Sequence, residues 1–468
     1  MNKLILFELN EVPQKIVDYY CRVRPNSWMA QNYSGFNKFN SYSENPDHLD
    51  PWNTWPTVHR GVDSSKHKIL DLNQDLSEQD EMYPTIWKLL SDQKVKTGIF
   101  GSLHSYPLPK NTDNLSFYVP DVFAQSAECH PKLVNSFQEL NLNLSRKSAR
   151  NVSRKVPKKS LMNLAFKAPI LGFKGATITK VASQLIQEKS QKWKSTRRRT
   201  HQANLSFDIF YKLLHKEQPS FTTFFTNHVA ACLHRYWAAA FPDNYEVNHY
   251  SDEWIDRYDG EILFALDQAD IMLTRLGKFV TKNPDYKLII ASSMGQDAVK
   301  ARPVKSQLYI KNAEQFLSCL GVNSFDSLPA MLPQFNFKLK VAEIAIFKKH
   351  ADKTIINGKP LRYREHNGGR IAIEMGHINQ RSVVMKIAGE EIHPDKTGLK
   401  NVRIRDQSST TADHVPEGVF YVYHPSFKES HMNLNVVPTC TIFPTILENF
   451  AVPKPSYAQN SNAHLLGK

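Results

Sequence analysis

Cysteine is scarce in this 468-residue chain, and what there is shows no pattern. Cys21, Cys129, Cys232, Cys319 and Cys440 are scattered and odd in number, with no CxxC pair among them. That excludes a disulfide framework and a cysteine-built zinc site, and reads as free thiols in a reducing compartment. No run of about 18 apolar residues occurs, so no membrane-spanning helix is expected. The opening residues, MNKLILFELNEVP, hold only the short apolar run Leu4 to Phe7 before Glu8 and do not read as a signal peptide. The expected location is cytoplasmic. Zinc-finger, RNP-like and other nucleic-acid signatures are missing, and positive charge alone is a weak argument for nucleic acid. No internal repeat is visible.

Acidic residues are nearly absent from one region. The formal net charge is +14, yet from Arg146 to Arg199 sixteen Lys and Arg residues face a single acid, Glu188, so the rest of the chain is close to neutral. Leu, Phe, Ile and Trp193 interleave with this charge. A solvated basic face is one reading. A surface for anionic lipid headgroups is the other, and it suits the interleaved apolar side chains, with each basic residue there worth roughly 1 kcal/mol. On that reading the protein sits peripherally on the inner face of the membrane.

What is present is ample for a core: 41% hydrophobic residues and 11% aromatic. KLILFEL has strand length, and EVPQKIVDYYCRV after it has helical spacing. MYPTIWKLLSDQ reads as a helix, and KVKTGIFGS, SFTTFFTNH and YKLIIASS read as buried strands. WIDRYDGEILFALDQADIMLTRLGKFV is one long amphipathic helix by its spacing, and VPTCTIFPTILENFAV closes the core as a last helix. This alternation predicts an α/β fold with a mainly parallel central sheet covered by helices on both faces. Residues 1–140 form the N-terminal part of that core and 141–210 a basic helical cap inserted into it. The remainder is 211–455, with antiparallel hairpins near 360–400, and 456–468 is expected to be a flexible tail.

Eighteen histidines are candidates for chemistry. TNHVAACLHRYW sets His228 and His234 just after a strand, TTADHVPEG sets His414 before one, and HRGVDSSKH holds His59 and His67. In open α/β sheets ligands bind in the crevice at the strands' carboxyl ends. A lone histidine there is usually structural, but three neutral imidazoles can hold one divalent ion and leave a position open. Glu8, at the end of the first strand, is the matching carboxylate, or else the start of a polar turn with Asn10 and Glu11. In DPWNTWPTVHRG, Thr54 or Thr57 can cap a helix, or Thr54 can be a nucleophile held at a helix N-terminus. Spacing alone leaves each pair of readings open.

The order of these pieces resembles the alkaline phosphatase superfamily, in particular its type I phosphodiesterase and nucleotide pyrophosphatase branch. LILFELNE matches the first strand with its acidic ligand, NTWPTVHRGVDSSKHKI the nucleophile segment, and NHVAACLHRYW the metal-binding loop. HVPEG matches the final histidine segment and FPTILENF the closing helix. The resemblance implies a metal-dependent phosphodiesterase or phosphotransferase with Thr54 as nucleophile and Glu8, His228, His234 and His414 as metal ligands. Asn10, Thr57, Arg60 and Arg235 are then phosphate-binding candidates. A phosphate-containing nucleotide, glycan or lipid-linked precursor is the implied substrate, and transfer to an acceptor hydroxyl would suit polysaccharide biosynthesis. The CxPxR context of sulfatases is absent. One departure bears on the cofactor: where the family has SDHG, this chain has SSMG, with Ser293 and Met294 replacing two ligands. A thioether is a poor ligand for hard or borderline cations. One ion, zinc or manganese, is therefore expected, with the second site weak or absent. The same loss motivates an alternative, a catalytically weakened relative acting as a binding or scaffold protein in glycan or lipid metabolism.

Overall fold

The computed structural model describes residues 3–44, 47, 49–72, 74–147, 150–151, 158–330, 332–427 and 433–467. Two compact units emerge: 1–141 with 156–301 and 410–468, and 142–155 with 302–409. Residues 158–210 cluster with the larger unit, largely as helices. The portions of the basic segment at 148–149 and 152–157 lie outside the described residues.

The larger unit is organised by the strands β1 (Lys3–Leu9), β2 (Phe36–Tyr42), β3 (Thr97–Phe100), β4 (Leu115–Val119) and β5 (Phe221–Thr226). These are followed by β6 (Tyr286–Ala291), β7 (Gly295–Ala298), β8 (Ala412–Val415), β9 (Glu417–Tyr423) and β10 (Asn433–Pro438). Eight of them form one sheet in the order β10-β2-β9-β6-β1-β5-β3-β4, while β7 and β8 pair as a separate antiparallel ribbon. β1 runs parallel to β5 and β6, β5 to β3, and β3 to β4; β9 alone runs against its neighbours β6 and β2. This is the mainly parallel α/β sheet expected. β1 and β6 are buried along nearly their whole length, which requires cover on both faces and explains the apolar runs Leu4–Phe7 and Leu288–Ala291. Leu4, Leu6, Trp55, Val58, Ile99, Phe221, Ile289, Phe420, Phe443 and Ile446 belong to one core cluster.

The helices that matter for the site and its surroundings are α1 (Gln14–Val23), α2 (Pro51–Arg60), α3 (Lys158–Leu171) and α4 (Gly175–Ser190). After them come α5 (Arg198–Glu217), α6 (His228–Ala240), α7 (Glu261–Lys282) and α8 (Ile442–Asn449). The long helix read from the sequence is broken: Asp252–Tyr258 precedes α7, and Gly260 separates them. Near its C-terminal end the chain packs against β2. Leu465 and Leu466 are fully buried, and Asn37 Nδ2 donates to the His464 carbonyl at 2.8 Å. No helix among the described residues is long and apolar enough to cross a membrane.

The smaller unit holds two four-stranded antiparallel sheets, and the region expected as hairpins supplies Arg370–Ile373, Met385–Ile387 and Glu390–Ile392 to them. Its core gathers Phe316, Phe337, Phe347, Ile371, Ile373 and Met385.

Candidate metal and nucleophile site

The carboxyl ends of β1, β5 and β6 place Asn10, Glu11, Asn227 and Ser293 on neighbouring turns. Just past β1 the chain takes a left-handed step at Glu11, φ 59°, at a residue almost wholly buried. For a non-glycine residue this conformation is costly, and it recurs where function fixes the backbone. The carboxylate is held from several directions. Its Oε2 lies 2.8 Å from His234 Nε2 and 3.3 Å from His414 Nε2, and Gln296 Nε2 donates to the same oxygen. Asn10 Nδ2 donates to Oε1 at 2.7 Å.

Each imidazole is oriented by the chain around it. His234 lies two turns into α6, and its Nδ1–H donates to the Ala412 carbonyl at 2.7 Å, which leaves Nε2 toward Glu11. Fixing a ligand's tautomer through its other nitrogen is the usual support for a metal-binding histidine. His414 sits in β8 opposite Gln296 of β7. A side chain at Gly295 could not be accommodated: its Cβ would lie 2.2 Å from the Glu417 carbonyl and 2.8 Å from Pro13 Cβ. The ribbon therefore packs directly on the loop after β1, next to Glu11.

Electrostatically the three groups form one unit. Burial alone would raise the Glu11 carboxyl, but the charges of His414 and His234 hold it well below the usual carboxylate range. Burial alone would lower His414, yet Glu11, with Asp413 and Asp50 nearby, raises it to about 9. One ligand atom from each of Glu11, His234 and His414 lies within 4.8 Å of the other two. Ligands at zinc distances on a tetrahedron stand about 3.4 Å apart, so a small adjustment suits this donor set to one ion.

Thr54 lies in the first turn of α2, buried, with its Oγ1 2.8 Å from Ser293 Oγ and donating to the Asp50 carbonyl at 3.2 Å. Two links tie it to the histidine cluster. Asp50, which precedes α2, has its carboxylate 3.8 Å from His414 Nδ1. Asn10, which holds Glu11, accepts from Trp55 Nε1 and donates to Asn227 Oδ1, both at 2.7 Å.

Four expected site residues have other partners. Glu8 is fully buried beneath the site, its Oε1 2.7 Å from His59 Nε2 and its Oε2 accepting from Ser102 at 2.8 Å. Glu11 stands in the cluster where Glu8 was expected. His228 opens α6, six residues before His234 and so on a different face of the helix. It donates from Nε2 to the Ala265 carbonyl at 3.1 Å and accepts from Thr226, and burial lowers it to about 4, so it is neutral and committed. Arg60 is also buried, bonded to the Tyr83 carbonyl at 2.6 Å and to Asp80 at 2.7 Å, and so unsuited to binding phosphate. Thr57 Oγ1 is engaged by the Asn53 carbonyl and by His67 Nε2, 3.2 Å away. Arg235, next to His234, is half-buried. Met294 is wholly buried in the core. Glu8 is thus engaged by His59, Ser293 by Thr54, and a thioether stands beside them at Met294.

Glu11 and Gln296 are the contributors that sequence reading missed. A signal existed: Glu11 shares the polar turn with Glu8 and Asn10. What was not visible is which carboxylate the turn delivers to the histidines.

No protein-family model and no curated protein sequence matches the chain. Among solved structures it is similar to an inactive variant of murine ectonucleotide pyrophosphatase/phosphodiesterase 5 in complex with AMP. The identity there is 9%, the TM-score 0.42, and the match covers 99% of this chain and 97% of that one. It is similar to phosphonoacetate hydrolase from Sinorhizobium meliloti 1021 in complex with phosphonoformate, at 13% identity and a TM-score of 0.42 over 94% of each chain. A variant of TAB5 alkaline phosphatase with bound Mg is similar at 9% identity and a TM-score of 0.38, over 97% of this chain and all of that one.

Proposed function

We propose that this protein is a one-metal enzyme of phosphoryl chemistry, a phosphodiesterase or phosphotransferase. The supporting observation is the donor set Glu11, His234 and His414, linked through Asp50 and Asn10 to the Thr54 turn. These three residues would hold one zinc or manganese ion. When bound, the ion supplies Lewis acidity toward a phosphoryl oxygen and a neighbouring hydroxyl. Thr54 Oγ1 is the attacking atom in this reading, and Ser293 and the Asp50 carbonyl fix its rotamer. The N-terminal end of α2 favours the negative charge of a phosphate brought to it. Asn10 and Asn227 orient Glu11 and the substrate edge, and Arg235 is the cation proposed for a phosphate oxygen. The substrate class is a phosphate-containing nucleotide, glycan or lipid-linked precursor. A cytoplasmic role in polysaccharide biosynthesis would use transfer rather than hydrolysis.

A chromogenic phosphodiester assay with added Zn or Mn tests this reading. Turnover that disappears in both Thr54→Ala and His234→Ala supports it. Turnover retained in Thr54→Ala removes the nucleophile.

The commitment of Glu8 to His59 and the burial of Met294 favour one second reading, a catalytically weakened binding protein. In that case a phosphate-bearing ligand binds in a Glu11-dependent way with no turnover by any variant.

A further inference from the structure

Helix α4 is built with its polar side inward. Its buried positions are Thr177, Gln184 and Glu188. Gln184 Nε2 donates to the Lys194 carbonyl at 2.6 Å, and Glu188 accepts from Arg198 Nε at 2.8 Å. Ile178 and Ile186 are left 46% and 65% exposed. Spaced by eight, with Ala182 exposed between them, they form one stripe along the helix. Helix α3 shows a related arrangement. Leu164, Ala168 and Leu171 are buried, while Phe166 and Ile170, four residues apart, are 81% and 55% exposed. Both helices are anchored on α5: the Lys174 backbone N–H donates to Asp208 at 2.8 Å, and Lys212 Nζ donates to the Pro169 carbonyl at 3.2 Å. Isolated exposed apolar residues are ordinary. Four large ones on two consecutive helices, above an inner face partly filled by polar groups, are not accounted for by folding alone.

The charge around these stripes identifies what covers them. Lys167, Lys174, Lys189 and Lys192 are exposed on the same segment. Its only acid between Arg146 and Arg199, Glu188, is turned inward onto Arg198. We propose that α3 and α4 form a docking face for an anionic lipid bilayer, with Phe166, Ile170, Ile178 and Ile186 entering the headgroup boundary and the lysines meeting lipid phosphates. A second copy of this chain would bring the same positive segment against it. Nucleic acid would offer nothing to the isoleucines. The inference does not depend on the phosphoryl-transfer reading, because it involves none of the same residues.

Sedimentation of the full chain with phosphatidylcholine vesicles, with and without one third phosphatidylglycerol, tests it. Binding to the anionic vesicles should exceed binding to the neutral ones by at least about tenfold and fall between roughly 0.1 M and 0.5 M salt. The pairs Ile178→Ser with Ile186→Ser, and Lys167→Glu with Lys174→Glu, should each weaken binding by about fivefold or more. Thermal unfolding of these variants should stay unchanged, since the four side chains are exposed. In a Phe166→Trp variant, tryptophan emission should shift to the blue on adding anionic vesicles. Absent binding, equal binding to both vesicles, or preferential binding to duplex DNA would overturn the proposal. So would a concentration-dependent dimer that Ile186→Ser returns to monomer. Turnover of a soluble phosphodiester is read separately and does not move with any of these outcomes.

Discussion

His234 Nε2 lies 2.8 Å from Glu11 Oε2, and the other nitrogen of the same ring is fixed by the Ala412 carbonyl. Strand β1 and helix α6 thus present one carboxylate and one imidazole to a common point, and His414 of β8 adds a second imidazole. Several consequences can be measured.

Gln296 supports the cluster without supplying a ligand atom, because its Nε2 donates to the Glu11 oxygen that faces both histidines. Groups behind a metal ligand commonly contribute about 10- to 100-fold in affinity. Gln296→Ala should weaken zinc binding by that order in a competition titration with a chromophoric chelator, while Gln296→Glu should disturb the site through a second buried carboxylate. Unchanged affinity in Gln296→Ala would show that Glu11 needs no such support.

Thr54→Ala should lower phosphodiester turnover by on the order of 10³-fold or more while leaving metal content unchanged. Thr54→Ser keeps a hydroxyl and should retain measurable turnover. A Thr54→Ala protein that loses its metal as well would mean that the hydroxyl acts as a ligand rather than a nucleophile.

The Glu8–His59 pair carries the opposite expectation. Both side chains are buried, and removing Glu8 leaves His59 Nε2 without its hydrogen-bond partner, at a cost of about 1–3 kcal/mol. Glu8→Ala should therefore lower the urea midpoint strongly without abolishing metal binding in the fraction that folds. Loss of metal at full stability would return Glu8 to the ligand set.

Acid should destabilise the protein. Burial holds His67 and His104 at about 3 and His228 at about 4, against about 6.5 in the unfolded chain. Between those values the unfolded state binds more protons, so the stability these three histidines contribute is full above about pH 6.5 and is lost as pH falls toward 4, whereas that of His414, raised to about 9, is lost as pH rises through 9. Asp121 acts in the opposite sense: burial raises it to about 6, so its protonation below that pH favours the folded state. His201, lowered to about 4 by burial, acts with the three histidines, and Glu261 and Asp270, both raised by burial, act with Asp121; between pH 7 and pH 5 the four histidines dominate. The urea midpoint should fall steadily from pH 7 to pH 5, and a flat or rising midpoint would contradict these burial effects.

Much of the fold was legible because parallel strands buried on both faces leave apolar runs, as in Leu4–Phe7 and Leu288–Ala291. β2, FNKFNSY, was not legible: alternating polar residues in an outer strand give a weaker pattern. In the site, Thr54, His234 and His414 were proposed from their order along the chain, and the structure brings His234 and His414 together beside Glu11. His228 was misread because six residues of helix turn it to another face, and no linear spacing displays what α7 offers there. Glu8 and Glu11 were exchanged for a subtler reason. Strand alternation points Glu8 into the sheet toward His59, and the left-handed step at Glu11 cannot be read from residue type. The tail's burial rests on the leucines Leu465 and Leu466, too few to stand out in a polar segment.

The measurement that bears most directly on the central claim is metal content by inductively coupled plasma mass spectrometry, on tag-free protein dialysed against metal-free buffer. Close to one equivalent of zinc or manganese is expected, lost in His234→Ala and Glu11→Gln and kept in His228→Ala. Two equivalents in the native protein, or one equivalent that persists without Glu11 and His234, would contradict it.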